Sequence, residues 1–378
     1  MQLLISGDLV PTQSNIDLFN HANINTLLGE DLLSIWNSAD IRIFNLEVPL
    51  TDTESPILKS GPNLICSTSA INGIKSLNPS LLTLANNHIL DQGTQGYYST
   101  KSLLIKNNIP FVGAGDNLFE ASKPYIIENQ GLKIGIYACT EHEFTIATDK
   151  SAGANPFDPL FSLDHIEDLK PKCDYIIVLY HGGKEHYRYP SPYLQKVCRK
   201  IAQKGADLVI CQHSHCIGTY ESYENSTIIY GQGNFIFDYS DSEYWNNSLI
   251  IEVIIEDNLK VGYIPIVKDG SCVRIATGQV AENIKKEFQI RSNKILDVEF
   301  VEKKYIEFAE DNIKSYLRSL SGTGKWISRI DRYLLKDMLI KKRYSKEQLF
   351  AIQNFIECEA HRELLISGLK YVQENKIK

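Results

Sequence analysis

His213-Ser214-His215, at the end of the apolar run Asp207-Leu-Val-Ile210, is the strongest local signal for chemistry in the chain. Two neutral ring nitrogens at this spacing can reach one metal ion or two neighbouring ones, although an isolated pair also occurs incidentally. Four other apolar runs end in comparable residues. Leu3-Leu-Ile5 leads to Asp8, a hard carboxylate that could ligate a cation or cap a turn. Ile41-Arg-Ile-Phe44 leads to Asn45-Leu46-Glu47. A carboxylate closing a buried strand needs a partner, and Glu47 is suited to bridge two cations. Leu81-Leu-Thr-Leu84 leads to Asn86-Asn87-His88, an amide oxygen beside an imidazole. Asp91 follows, placed either to hold His88 in one tautomer or to cap the helix expected from Thr94. The run Tyr175–Tyr180 leads to His181, with Glu185 four residues on. Imidazole, carboxylate and amide donors together suit Mn, Fe or Zn better than Ca.

Such residues act together only if the elements carrying them converge. Over the first 280 residues, short apolar runs alternate with amphipathic stretches, the pattern of α/β layers. The patterning predicts helices over about 24–38, 68–77, 94–107 and 192–204, and a hairpin around Asn129-Gln-Gly131. Ligands of open α/β sheets bind beyond the carboxyl ends of the strands. Asp8, Glu47, Asn87, His88, His181, His213 and His215 are therefore expected at one edge of one sheet. Gly231-Gln-Gly-Asn-Phe235 and Gly113-Ala-Gly115 read as tight turns.

The chain has 378 residues, 43% hydrophobic and 22% charged, which excludes a disordered or low-complexity protein. Its apolar runs fall far short of the roughly 20 residues of a membrane span. The start Met1-Gln-Leu-Leu-Ile-Ser-Gly-Asp8 lacks the basic segment of a signal peptide, so the expected compartment is the cytoplasm. The 8 cysteines are scattered without a Cys-x-x-Cys pair, as for reduced apolar side chains. The net charge of −7 divides unevenly: residues 280–378 hold 20 basic and 15 acidic side chains, residues 1–279 hold 19 and 31. Strand patterning also stops near Gln279. Apolar residues then recur at helical spacing in three sets: Ile306 to Leu320, Ile327 to Met338, and Leu349 to Leu364. Ser321-Gly-Thr-Gly324 reads as a linker. Thr323-Gly-Lys325 lacks the other residues of a phosphate-binding loop, and no Gly-x-Ser-x-Gly elbow occurs. The basic stretch Lys336–Lys346 could touch an anionic polymer or a membrane surface, or be a solvated helix face; a nucleic-acid partner is not expected.

Gly7-Asp8, Asn45-Leu46-Glu47, Asn86-Asn87-His88 with Asp91 and Gly93, His181-Gly-Gly with Glu185, Gln212-His213-Ser214-His215 and Gly231-Gln-Gly-Asn-Phe235 follow one another in this order. Together they resemble the CapA family of bacterial capsule and poly-γ-glutamate synthesis proteins, a branch similar to the calcineurin-like metallophosphoesterases. The resemblance covers roughly residues 1–270 and implies a layered α/β/β/α sandwich for a domain over 1–279; the helical extension over 280–378 lies outside it, is read from the apolar spacing alone, and could dock a partner protein. The resemblance also implies a site for two divalent metal ions, with Asp8, Glu47, Asn87, His181, His213 and His215 as ligands and Glu47 bridging. His88, oriented by Asp91, would be the general acid, and Asn86, Glu185 and Asn234 would meet a phosphoester or an anionic polymer or peptide substrate. Phosphoesterases of this kind carry Asp-x-His on the first strand, whereas here Leu9 and Val10 follow Asp8. Glu185 or His186 could compensate. The implied activity is metal-dependent hydrolysis in cell-envelope polymer synthesis. The alternatives are a non-catalytic factor and an enzyme of amide bonds.

Overall fold

A strand buried along its whole length needs cover on both faces. Ile41–Leu46 is buried at all six positions, and Gln2–Val10 at all but its first. The computed structural model, which describes residues 1–374, supplies that cover with two sheets and flanking helices. It divides into two compact units, Met1–Glu302 and Lys303–Lys378.

In the first unit, an eight-stranded sheet is built around Gln2–Val10. On one side Ile41–Leu46, Leu81–Thr83 and Phe111–Val112 follow in parallel. On the other side Asn247–Ile255, Leu259–Asp269 and Cys272–Ile275 follow antiparallel, and Asn234–Phe237 pairs in parallel with the end of the first strand. The second sheet has six strands. Its parallel centre is Leu132–Thr140, Tyr175–His181, Leu208–Gln212 and Ser226–Ile229, with Tyr125–Asn129 and Tyr220–Tyr223 antiparallel at the edges. The hairpin expected at Asn129-Gln-Gly131 is present, and Gln130 and Gly131 both take the positive φ that such a tight turn demands.

Alternation along the strands separates three cores. Leu3, Ile5, Ile43, Ile136, Ile177 and Ile210 meet between the sheets. Leu4, Phe44, Leu46 and Leu82 face helices that include Glu30–Ser38 and Gly93–Lys106. Tyr137, Val178 and Val209 face Pro192–Gln203. The result is the expected α/β/β/α sandwich. The expectation of one sheet edge is corrected: Asp8, Glu47, Asn87 and His88 belong to the eight-stranded sheet and its loops, whereas His181, His213 and His215 come from the six-stranded one. Equal hydrophobic periodicity cannot assign strands to sheets.

Other boundaries move for local reasons. The helix expected over 24–38 breaks at Gly29, where φ is 72°, into Ile24–Leu28 and Glu30–Ser38. Gly278–Lys294 is helical and packs on Tyr220 and Tyr263 through Phe288, so it lies in the first unit. In the second unit the second expected helix breaks at Lys336 and Asp337, both with positive φ, giving Lys325–Tyr333 and Met338–Arg343. The third breaks at Cys358, giving Lys346–Glu357 and Glu359–Glu374.

Two devices aim the first strand at the site. Its pairing slips between Ile5 and Asp8 on one side and between Asp8 and Leu9 on the other, and irregularities of this kind re-aim side chains. Gly7 then lies so close to Gly233 that a Cβ would stand 2.0 Å from the Gly233 carbonyl oxygen. Gly7→Ala is expected to force these strands apart, destabilising the protein by about 1–3 kcal/mol in denaturant titrations. It should also weaken divalent-metal binding measured by calorimetry.

Candidate metal centre

The strand ends deliver their polar side chains to one place. Glu47 Oε1 lies 3.1 Å from His181 Nε2. The same ring nitrogen lies 3.2 Å from His213 Nδ1 and 3.1 Å from Asn87 Oδ1. One imidazole nitrogen carries either one proton or one lone pair, so it cannot satisfy a carboxylate, an amide oxygen and a second ring nitrogen together. A cation among them resolves the conflict. On the other side of Glu47, His215 Nδ1 is 3.6 Å from Asp8 Oδ2. The donor atoms of Glu47, His181 and His213 lie within 4.8 Å of one another, as do those of Asp8, Glu47 and His215. Glu47 belongs to both groups.

The electrostatics fit such ligands. Glu47 is fully buried, and neither of its carboxylate oxygens has a hydrogen-bond partner in the protein. Burial, reinforced by the charge of Asp8, pushes its pKa up to about 8. Burial also lowers the pKa of His181 and, further still, of His213, which keeps both rings in the neutral form that metals bind. The donors therefore fit divalent cations of the Mn, Fe or Zn kind.

Local backbone conformation aims the two histidines of the strongest motif. His213 and His215 have φ of 79° and 53°, in the left-handed region that side-chain-bearing residues enter only at a cost. They direct His213 towards His181 and His215 towards Asp8 and Asn234. His213 also donates its backbone N–H to Asp8 Oδ2, at 3.3 Å.

His88 lies beside this group, its Nδ1 2.5 Å from Asp91 Oδ2. Asp91 also accepts the Leu64 N–H and is ion-paired with Lys59. Asp91 is not the helix cap: the helix begins at Gly93, with Gln92 in the cap position and no side-chain cap bond. With Nδ1 held by Asp91, Nε2 is the atom of His88 left to meet a ligand. Asn86 is enclosed: its amide donates to Asn45 Oδ1 and the Leu46 carbonyl, and its Oδ1 accepts the His88 N–H. These bonds brace the turns bearing Glu47 and His88. Asn234 Oδ1 is 2.9 Å from His215 Nδ1, and its buried Nδ2 has no partner. Glu185 stands at the rim, 4.0 Å from His213 Nε2 and half exposed. His186 is engaged elsewhere, accepting the Trp245 indole N–H at 2.9 Å and stacking on Tyr244.

Four contributors escaped sequence reading. Asn45 donates to Asp8 Oδ1 at 2.8 Å. Glu143 accepts from Asn87 Nδ2, which turns Asn87 Oδ1 towards His181. Lys59 places its ammonium against Asp91 with the side chain only 2% exposed, 3.3 Å from His88 Nδ1. Trp245 packs on His215, ring centres 4.6 Å apart. Asn45 sits inside the Asn-Leu-Glu block and could have been found there. The other three lie outside the motif blocks, where no spacing marks them.

Comparison with known proteins gives a consistent family. The family model described as bacterial capsule synthesis protein PGA_cap matches residues 2–239. The PGA biosynthesis protein CapA of Bacillus subtilis (strain 168) is 28% identical over 208 residues, covering 54% of this chain and 55% of that protein. The capsule biosynthesis protein CapA of Bacillus anthracis is 28% identical over 227 residues, 57% of this chain and 54% of that protein. The chain thus spans about half the length of the curated relatives it matches. Among solved structures, a hypothetical protein from Thermus thermophilus superposes with a TM-score of 0.47 at 13% identity, over 71% of this chain and 100% of that one. A novel phosphatase from Mycoplasma pneumoniae superposes with a TM-score of 0.43 at 15% identity, over 71% and 94% of the two chains.

The raised pKa of Glu47 has a consequence for the metal-free protein. The folded state holds the carboxyl proton more tightly than the unfolded chain, whose value is 4.5. Its contribution is therefore complete below pH 4.5, declines as pH rises and is lost by about pH 8. The lowered His181 and His213 work the other way, losing stability as pH falls below 6.5. Denaturant titrations of metal-free protein between neutrality and pH 8 are expected to show falling stability. Glu47→Gln should remove that slope.

Proposed function

The chain belongs to the bacterial capsule synthesis protein family PGA_cap, and from that premise we propose that it is a metal-dependent hydrolase of the two-metal phosphoesterase type, acting in capsule, poly-γ-glutamate or other cell-envelope polymer synthesis. The observation that carries this reading is Glu47, a buried carboxylate without a donor that is common to two sets of ligating side chains.

On this reading Asp8, Glu47 and His215 hold one cation, and Glu47, Asn87, His181 and His213 hold the other. A pair of divalent ions supplies, when bound, the positive charge for an in-line displacement at phosphorus. The chain's own residues do the rest. His88 donates a proton from Nε2 to the departing oxygen, a contribution typical of general acids. Asp91 fixes its tautomer by holding Nδ1, and Lys59 fixes Asp91 in turn. Trp245 walls the His215 side against water, while Glu185 from the rim and the buried amide of Asn234 orient the substrate. The free thiols support a reducing compartment such as the cytoplasm.

A second reading has its own support. With Leu9 and Val10 after Asp8, the group of Asp8, Glu47 and His215 lacks the first-strand histidine of the two-metal phosphoesterases. A site holding one cation tightly suits a non-catalytic capsule-synthesis factor, or an enzyme of γ-glutamyl amide bonds.

Metal analysis of the purified chain, titrated with Mn, Fe and Zn, separates the two. The hydrolase reading expects two ions per chain, both weakened by Glu47→Ala, and turnover on a panel of phosphomonoesters and phosphodiesters. His88→Ala should keep the metals and lose about 10²–10⁴ in kcat. A chain that takes up no metal would sink the proposal. One ion with cleavage of γ-glutamyl peptides would favour the second reading. Unchanged turnover in His88→Ala would remove the general acid.

A further inference from the structure

The second unit carries a feature that the metal centre does not use. On the helix Lys325–Tyr333 and the residue after it, Trp326, Ile327, Ile330, Tyr333 and Leu334 fall on one face at helical spacing. All are exposed, Trp326 at 77% and Leu334 at 75%. Cations flank the stripe: the Arg329 guanidinium lies 5.7 Å from the Trp326 ring centre, and that of Arg332 5.6 Å from that of Tyr333. Between Gly322 and Lys346 there are 8 lysines and arginines and only 2 acidic residues, Asp331 and Asp337. Both aspartates are already paired with Arg318. Tyr333 also lines an open cleft bordered by Ser315, Thr323, Lys325, Ser328, Arg329 and Arg332, whose described lining includes no carboxylate.

We propose that this face docks on a bilayer surface rich in anionic phospholipid, the stripe entering the headgroup boundary and the cleft receiving a lipid phosphate. Three observations converge on a lipid surface. Tryptophan and tyrosine with apolar bodies and polar tips favour the interface between water and hydrocarbon. Arginines stacked on those rings keep their charge at headgroup level while their stems lie along apolar surface. An exposed apolar stripe with a basic flank on a short helix describes a segment that lies in the interface plane. No described helix is long and apolar enough to cross a membrane. A second copy of the chain is a poorer occupant, because a two-fold contact would set this basic surface against itself.

The test uses the full chain and vesicles of phosphatidylcholine, alone or with roughly one quarter phosphatidylglycerol. The chain is expected to sediment with the anionic vesicles, not with the neutral ones, and less as salt rises. Of the 3 tryptophans, Trp36 and Trp245 are buried at 1% and 7% exposure, so a blue shift of emission on binding reports Trp326. The double variant Arg329→Glu/Arg332→Glu should weaken sedimentation by at least about tenfold and abolish the shift. Arg329→Lys/Arg332→Lys should retain both, which separates lost charge from lost fold. Equal sedimentation with neutral vesicles, or none with either, would overturn the proposal. So would a dimer seen by light scattering without vesicles and broken by the glutamate variant, since the face would then be an interface between copies.

Discussion

A buried carboxylate with no donor is a costly thing for a fold to keep. Glu47 is in that position, with Asp8 beside it as a second buried carboxylate. Leaving one such charge unpaired costs several kcal/mol, and two near each other cost more. The surrounding structure is arranged around that cost. His181, kept neutral by its burial, faces both acids; Asn45 donates to Asp8, and Asn86 braces the turn that carries Glu47. The expense of the slipped first strand and the left-handed histidines is offset elsewhere. Trp36, for example, donates to the Leu77 carbonyl and stacks on Phe235 at 4.8 Å, pinning a helix onto the strand that carries Asn234.

Most of the site could be read from the sequence because its residues close apolar runs. Asp8, Glu47, Asn87, His181, His213 and His215 all follow a stretch whose composition declares a buried strand, and the chain direction then fixes which end they occupy. What periodicity cannot carry is the partition of strands between layers. An isoleucine pointing into the cleft between two sheets looks the same as one pointing at a helix. That is why one sheet is expected where the candidate ligands come from two. Lys59, Glu143 and Trp245 were illegible for a different reason. Lys59 and Glu143 reach the site from loops and Trp245 from the short helical turn Glu243–Trp245, and their roles depend on tertiary closure that leaves no local trace.

The second unit was legible as helical, but its breaks were not. The apolar spacing runs on past Lys336 and Asp337 in helical phase, so the pattern alone reads as one long helix. The backbone turns there because Asp337 is held by Lys314 and Arg318, and Asp331 by Arg318, through ion pairs made with another helix. Charge in this segment thus has two uses. The aspartates fasten the bend, and the remaining basic excess is left to face outward.

The split origin of the candidate ligands reaches beyond chemistry. Asp8, Glu47 and Asn87 come from one sheet, and His181, His213 and His215 from the other. Cations held among them would act as rivets through the seam of the sandwich, adding their binding free energy to the cohesion of the two layers. Starved of metal, the chain would then open more often along that seam and expose cleavable backbone. Its lifetime among proteases, and so its abundance, would follow the supply of divalent ions around it.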